Sequence, residues 1–132
     1  MDEVRVWPEP LKAFCVRVFT EMGVPEEDAR ITADVLVAAD LRGIDSHGVA
    51  RLRRYVDGLR SGMMVAQPEV RVVTETPATA VIDAGAGLGQ PVSYRAMQRA
   101  IQKALDVGAG FVTVRNSNHY GIAGYYAMMA LE

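Results

Sequence analysis

The chain has 132 residues, 50% of them apolar and 23% charged, a size and balance that suit one soluble globular domain and leave little room for a second. Its 14 basic and 16 acidic side chains give a net charge of -2, so no overall field draws it to nucleic acid or to an anionic membrane. No window approaches the ~20 apolar residues of a membrane span, and the start, MDEVRVWPEP, lacks the basic region and apolar core of a signal peptide, which points to the cytoplasm.

Leu11, Phe14, Cys15, Val18, Phe19 and Met22 recur at helical spacing, and Gly23 supplies a stop, which predicts a first amphipathic helix. The only cysteine lies on that stripe; without a second thiol it reads as a small core side chain, not a disulfide partner or a nucleophile. Pro25 at a first helical position, then Glu26, Glu27 and Asp28 at the positive end, open a second helix whose apolar face (Ile31, Val35, Leu36, Ala38, Ala39) ends near Gly43. Asp45 or Ser46 can cap a third helix running towards Ser61 and Gly62.

The pattern then changes to strands. EVRVVTETPATAVID carries two β-rich runs around a Thr/Pro turn, which predicts a hairpin, and the glycine segment AGAGLG follows. Val92, Ala96, Met97, Ala100, Ile101, Ala104 and Leu105 mark a fourth helix after Pro91, with Gly108 and Gly110 bracketing its end. FVTVR reads as a short buried strand, and a helical pattern resumes at Gly121 and reaches Glu132 in mid-face without a capping signal, as expected of a truncated chain.

On a helical wheel, Leu52, Val56, Leu59 and Met63 gather on one side of the third helix, while His47, Arg51 and Tyr55 stand at i, i+4 and i+8 on another. An imidazole, a guanidinium and a phenol in one column suit a small carboxylate, which arginine grips with two parallel hydrogen bonds. An ordinary solvated basic helix is the alternative, since Arg53, Arg54 and Arg60 share the segment. Together with Arg42 these arginines invite a nucleic-acid reading, against which stand the acidic remainder and the lack of interleaved aromatics.

The second histidine, His119 in TVRNSNHYGIAGYY, sits where a strand hands over to a helix, between Asn118 and Tyr120. A ring held there can exchange a proton near neutral pH, or it can simply cap the last helix or fill a polar hole. Two histidines without HExxH or a Cys/His set make no metal site. Ser46 beside His47 is no triad, because sequence neighbours do not automatically face each other. AGAGLG is GxGxG rather than GxGxxG, and its strand follows three helices instead of opening a βαβ unit, so close backbone packing explains Gly85, Gly87 and Gly89 better than a dinucleotide cradle. Asp83 is then a turn cap or a polar member of the same rim.

DSHGVARLRRY and RNSNHYGIAGYY, in that order and with the VIDAG segment between them, resemble the malate/L-lactate dehydrogenase family, which stands apart from the Rossmann-type lactate and malate dehydrogenases. Ureidoglycolate and sulfolactate dehydrogenases and Δ1-piperideine-2-carboxylate reductase are similar. The resemblance covers essentially the whole chain and implies a non-Rossmann α/β (α+β) fold, with residues 1–66 as an N-terminal helical region and 67–132 as the first part of an α/β cofactor-binding domain. It implies hydride transfer between NAD or NADP and a small 2-oxo/2-hydroxy acid, in a homodimer. His119 is then the proton donor or acceptor, with His47 as the second catalytic histidine; Ser46, Arg51 and Tyr55 hold substrate; His47, His119 and Gly121 meet the cofactor. His47, at the start of a helix whose positive end disfavours a protonated ring, takes the orienting role. The alternative is a non-catalytic assembly fragment that needs the rest of a longer chain or a partner.

Overall fold

The computed structural model describes residues 5–131; the readings made on residues 1–4 and on Glu132 lie outside the described residues. The first two apolar stripes fold into helices as expected, although Phe14, assigned to the first, is 47% exposed. Helix α1 (Pro8–Glu21) buries Cys15 and Phe19, and α2 (Glu26–Leu41) buries Ala29, Ala33, Val35 and Leu36. Pro25 is the residue before α2, not its first helical residue. Burial, with Asp40 adding a smaller repulsion, pushes the Cys15 thiol up to about 11, which fits a core side chain and not a nucleophile.

The predicted third helix is broken. Two single 3₁₀ turns, Asp45–His47 and Val49–Arg51, precede α3 (Leu52–Arg60), and Gly48 between them is extended, with φ -89° and ψ -149°. The cause lies on α2: an Asp40 carboxylate oxygen accepts the Val49 N–H at 2.9 Å, and a Cβ on residue 48 would overlap that carboxylate. The column of His47, Arg51 and Tyr55 therefore does not exist as one helical face. The packed side also differs from the wheel. Tyr55 and Gly58 are buried, Leu52 and Leu59 pack only in part, and Met63 is 71% exposed. Met64 takes the interior place, lying across Gly58 where any Cβ would meet its side chain. Tyr55 joins Cys15, Phe19, Leu36, Met64 and Leu88 in one apolar cluster.

Strands β1 (Arg71–Glu75), β2 (Thr79–Asp83) and β3 (Phe111–Arg115) form a sheet in that order. The hairpin reading holds: β1 and β2 are antiparallel. β2 and β3 are parallel and joined through α4 (Gly89–Val107), so β2 does open a βαβ unit, contrary to the sequence reading. Nor is β3 buried: Phe111, Thr113 and Arg115 are exposed, while Val112 and Val114 pack with Ile82, Ala84, Val92 and Ala96 between sheet and α4. A strand covered on one face alternates, and only one face meets a helix among the described residues. Leu105, assigned to the apolar face of α4, is likewise 76% exposed. Lys103 of α4 donates to the Thr76 carbonyl at 2.7 Å and pairs with Glu75 at 2.9 Å, and Arg95 pairs with Asp28 of α2 at 2.5 Å, so α4 ties the hairpin to the helices. Helix α5 (Ala123–Met128) packs Tyr126 with Val35, Ala39 and Ile122. No described helix is long and apolar enough to cross a membrane.

The glycine segment is filled by the chain itself. A Cβ at Gly85, where φ is +57°, would lie 2.8 Å from the Glu69 carbonyl oxygen, and one at Gly87 would overlap Pro68. At Gly89 it would overlap the Asn118 carbonyl and lie 2.6 Å from that of His119. Close packing is thus the reason for all three. Asp83 proves to be a cap: it accepts from the Gly85 N–H and the Asn116 amide, each at 3.0 Å, and from Arg115 at 3.1 Å, and these bonds hold its carboxyl below the usual range.

Gly89→Ala is expected to destabilise the protein by about 1–3 kcal/mol, because backbone rather than a flexible side chain must give way. Denaturant unfolding checks this; an unchanged midpoint would mean that the crossing of α4 and the 118–119 segment is not tight.

Candidate active site

Three separated segments meet at the hydroxyl of Tyr55. The ring is fully buried and lies edge-on to Phe19, with centroids 6.1 Å apart, so the helical core fixes where the phenol ends. At that end the hydroxyl lies 2.7 Å from Nδ1 of His119 and accepts from Nε2 of Gln90, also at 2.7 Å. Gln90 is the second residue of α4 and is fully buried. His119 follows β3 on a turn held to the glycine segment by Asn118, whose amide donates to the Ala86 and Gly87 carbonyls, each at 2.9 Å. Asn118 therefore positions backbone. Tyr120, its neighbour on the other side, stacks on Tyr126 at 5.5 Å.

The two histidines do meet: their ring centroids are 5.4 Å apart and their planes 31° from parallel. Ser46 faces His47 after all, with its hydroxyl 2.9 Å from Nδ1. This leaves the other edge of His47 for a ligand and gives Ser46 an orienting task. Because His47 ends a single 3₁₀ turn, it has no long helix behind it, and the dipole reason for its role falls away. Arg51 donates through Nε to the Ser46 carbonyl at 2.5 Å, while its two terminal nitrogens have no partner among the described residues. That is the fork a carboxylate needs. Gly121, at φ +85°, is buried, and a Cβ there would lie 2.5 Å from a Val35 methyl. Its N–H points at Nδ1 of His119 at 3.3 Å, so its place is set by packing and by the imidazole.

The electrostatics follow from this crowding. Burial first, then the positive charge of Arg51, His47 and Arg54, holds the His119 imidazole below its ordinary 6.5. Burial raises the Tyr55 phenol above its ordinary 10, against the pull of the Gln90 amide, Arg51 and Arg54. The site is thus a neutral imidazole with an acceptor-side nitrogen tied down, beside a second imidazole, in a field of two guanidinium groups. Among the described residues no group of three or more His, Cys, Asp or Glu is placed to hold a metal ion.

Ser46, His47, Arg51, Tyr55 and His119 are brought together, although the helical column that first grouped three of them is absent. Sequence reasoning missed Gln90 and treated Arg54 as generic surface charge. The signal for Gln90 was a lone amide within the apolar stretch LGQPV at a helix start, and for Arg54 there was none beyond its neighbours.

Comparison with known proteins gives this constellation a context. A family model described as malate/L-lactate dehydrogenase matches residues 6–132. The malate dehydrogenase of Pyrococcus horikoshii is 60% identical over 98% of the chain, and its solved structure superposes with a TM-score of 0.95. The L-sulfolactate dehydrogenase of Methanocaldococcus jannaschii is 52% identical over 95% of the chain. A Δ1-piperideine-2-carboxylate reductase structure from Pseudomonas syringae, at 28% identity over 90% of the chain, superposes with a TM-score of 0.81. The chain spans 36% of the length of the two dehydrogenase sequences and 38% and 36% of the first and last structures named. With its two histidine segments, its βαβ unit and this match over nearly every residue, the chain belongs to the malate/L-lactate dehydrogenase family.

Proposed function

We propose that the protein carrying this chain transfers a hydride between a nicotinamide cofactor, NAD or NADP, and C2 of a small 2-oxo/2-hydroxy acid of the malate or lactate kind. The observation that carries the reading is His119: Nδ1 is anchored by Tyr55 and Gly121, while Nε2, without a partner among the described residues, lies beside His47 and within the field of Arg51. This donor set fits the substrate. Arg51 takes the carboxylate with its two terminal nitrogens, and the His47 edge opposite Ser46 orients the 2-oxygen and borders the nicotinamide. When bound, the nicotinamide supplies or accepts the hydride.

During reduction, protonated His119 gives its Nε2 proton to the oxygen on C2 as charge develops there; during oxidation, neutral His119 takes the hydroxyl proton at the same atom. Arg51 fixes the acid so that C2 is presented in one orientation. Residues 1–66 then serve as the helical region and 67–132 as the start of the cofactor-binding domain, in a cytoplasmic homodimer. His47, His119 and Gly121 would border the nicotinamide, and the glycine segment, filled by the chain itself, has no part in holding the cofactor in this reading.

His119→Gln is expected to leave folding and much of the cofactor affinity intact while lowering kcat ~10²- to 10⁴-fold for 2-oxo acids. Single-turnover rates for it and for His47→Gln decide the assignment. Retained chemistry in His119→Gln with loss in His47→Gln would exchange the roles, and no turnover of any 2-oxo or cyclic imino acid by the wild type would end the dehydrogenase reading. Arg51→Lys keeps the charge and loses the fork, at a cost of about 2–5 kcal/mol in kcat/KM; unchanged kinetics would make Arg51 a surface charge.

The pH dependence has a definite sign. Oxidation needs neutral His119, so its kcat/KM falls as pH drops through the His119 pKa, and because that pKa is lowered, the fall sets in below 6.5. An inflection at or above 6.5 in the kcat/KM profile, absent in His119→Gln, would contradict this.

A further inference from the structure

Acid–base work at Nε2 of His119 leaves a proton on Nδ1 in both working forms, the imidazolium and the neutral base. The structure holds the opposite arrangement. The Gly121 N–H can only donate, so Nδ1 is an acceptor; the Tyr55 hydroxyl therefore donates to it, and the Tyr55 oxygen accepts from the Gln90 amide nitrogen. One buried side-chain atom is left over: Oε1 of Gln90, a fully buried residue, has no hydrogen-bond partner among the described residues. An idle buried carbonyl costs free energy in the state that leaves it idle, and a state in which it accepts a hydrogen bond recovers that cost.

Resting on the reading of His119 as the proton carrier, we propose that Gln90 is a positioning residue that sets the direction of the Tyr55–His119 hydrogen bond, donating through Nε2 in the resting form and accepting through Oε1 when Nδ1 of His119 bears a proton. Turned by half a rotation about its last torsion, the amide presents Oε1 to Tyr55. The Tyr55 O–H then donates to Gln90, its oxygen accepts Nδ1–H of His119, and the 3.3 Å contact from Gly121, the longest of the three, is the bond given up. Nδ1 gains its proton from solvent when His119 becomes the imidazolium, and loss of the Nε2 proton then leaves the neutral base; within the Gln90–Tyr55–His119 series only the direction of donation reverses. The groups facing His119 from neighbouring elements are His47, Arg51 and Arg54, all of which oppose its protonation, and Tyr55, the one through which Gln90 acts.

The test is nitrogen-15 NMR of the full-length enzyme across pH, with His119 assigned by its loss in His119→Gln and the Gln90 amide by its loss in Gln90→Met. In wild type, neutral resting His119 is expected as the Nε2–H tautomer, and the Gln90 amide resonances move together with its titration. Amide resonances that stay fixed while His119 titrates overturn the proposal without any variant. Gln90→Met, similar in size but without the amide, is expected to mix the two neutral tautomers, lower the His119 pKa, and reduce kcat about 10-fold or more with KM changed less than about twofold. Gln90→Glu, which presents acceptor oxygens, is expected to raise the His119 pKa, recover much of kcat and move the pH profile upward. Wild-type tautomers, titration and kcat in Gln90→Met overturn the proposal. Absence of turnover in the wild type would end the dehydrogenase reading separately, since the tautomer and amide signals need no catalysis.

Discussion

A phenol in a protein interior can be stable only if its hydroxyl is satisfied, and at Tyr55 that requirement organises the molecule. The ring belongs to the core shared by α1, α2 and α3, yet its oxygen finds partners only on α4 and on the turn after β3. Helical layer and βαβ unit are thereby held in register at the point where the imidazoles meet. Leu88 in the same apolar cluster and Gly89 against the 118–119 backbone bring the start of α4 close enough for Gln90 to reach. Packing sets the distance, and the two hydrogen bonds of 2.7 Å set the orientation.

How far this was legible from the sequence depended on whether a residue's task was local. The hairpin, the first two helices and the strand-to-helix position of His119 follow from periodicity and turn residues, and they are present. The break at Gly48 was not legible, because its cause is Asp40, a residue eight positions earlier on another helix whose carboxylate occupies the space a side chain would need. The wheel failed for the same kind of reason: it set Met63 on the packed side and Tyr55 in a separate column, whereas the interior holds the aromatic that ends on two polar partners. His47, Arg51 and Tyr55 were grouped rightly by sequence and wrongly by geometry. They converge because a 3₁₀ turn, a glycine break and a short helix bend the segment around the site. Gln90 had no local signature beyond its isolation, since an amide gains its meaning from what stands 35 residues away in the chain.

The cationic surroundings give the site a further logic. In the chain as it stands, Arg51, Arg54 and His47 all oppose a proton on His119, and burial opposes it more. In the proposed reaction a substrate carboxylate pairs with Arg51, and that pairing cancels part of the field. The imidazole must then hold a proton more readily with substrate present than without it, because the same charge that binds the acid is the one that repels the proton. Linkage makes the effect reciprocal: protonation of His119 strengthens binding of the 2-oxo acid by the factor with which the acid strengthens protonation. The guanidinium fork and the imidazole are therefore one device. A site that bound the carboxylate by neutral hydrogen bonds alone would also favour the proton on His119, but it would lack the field that keeps the imidazole from holding one before the acid arrives.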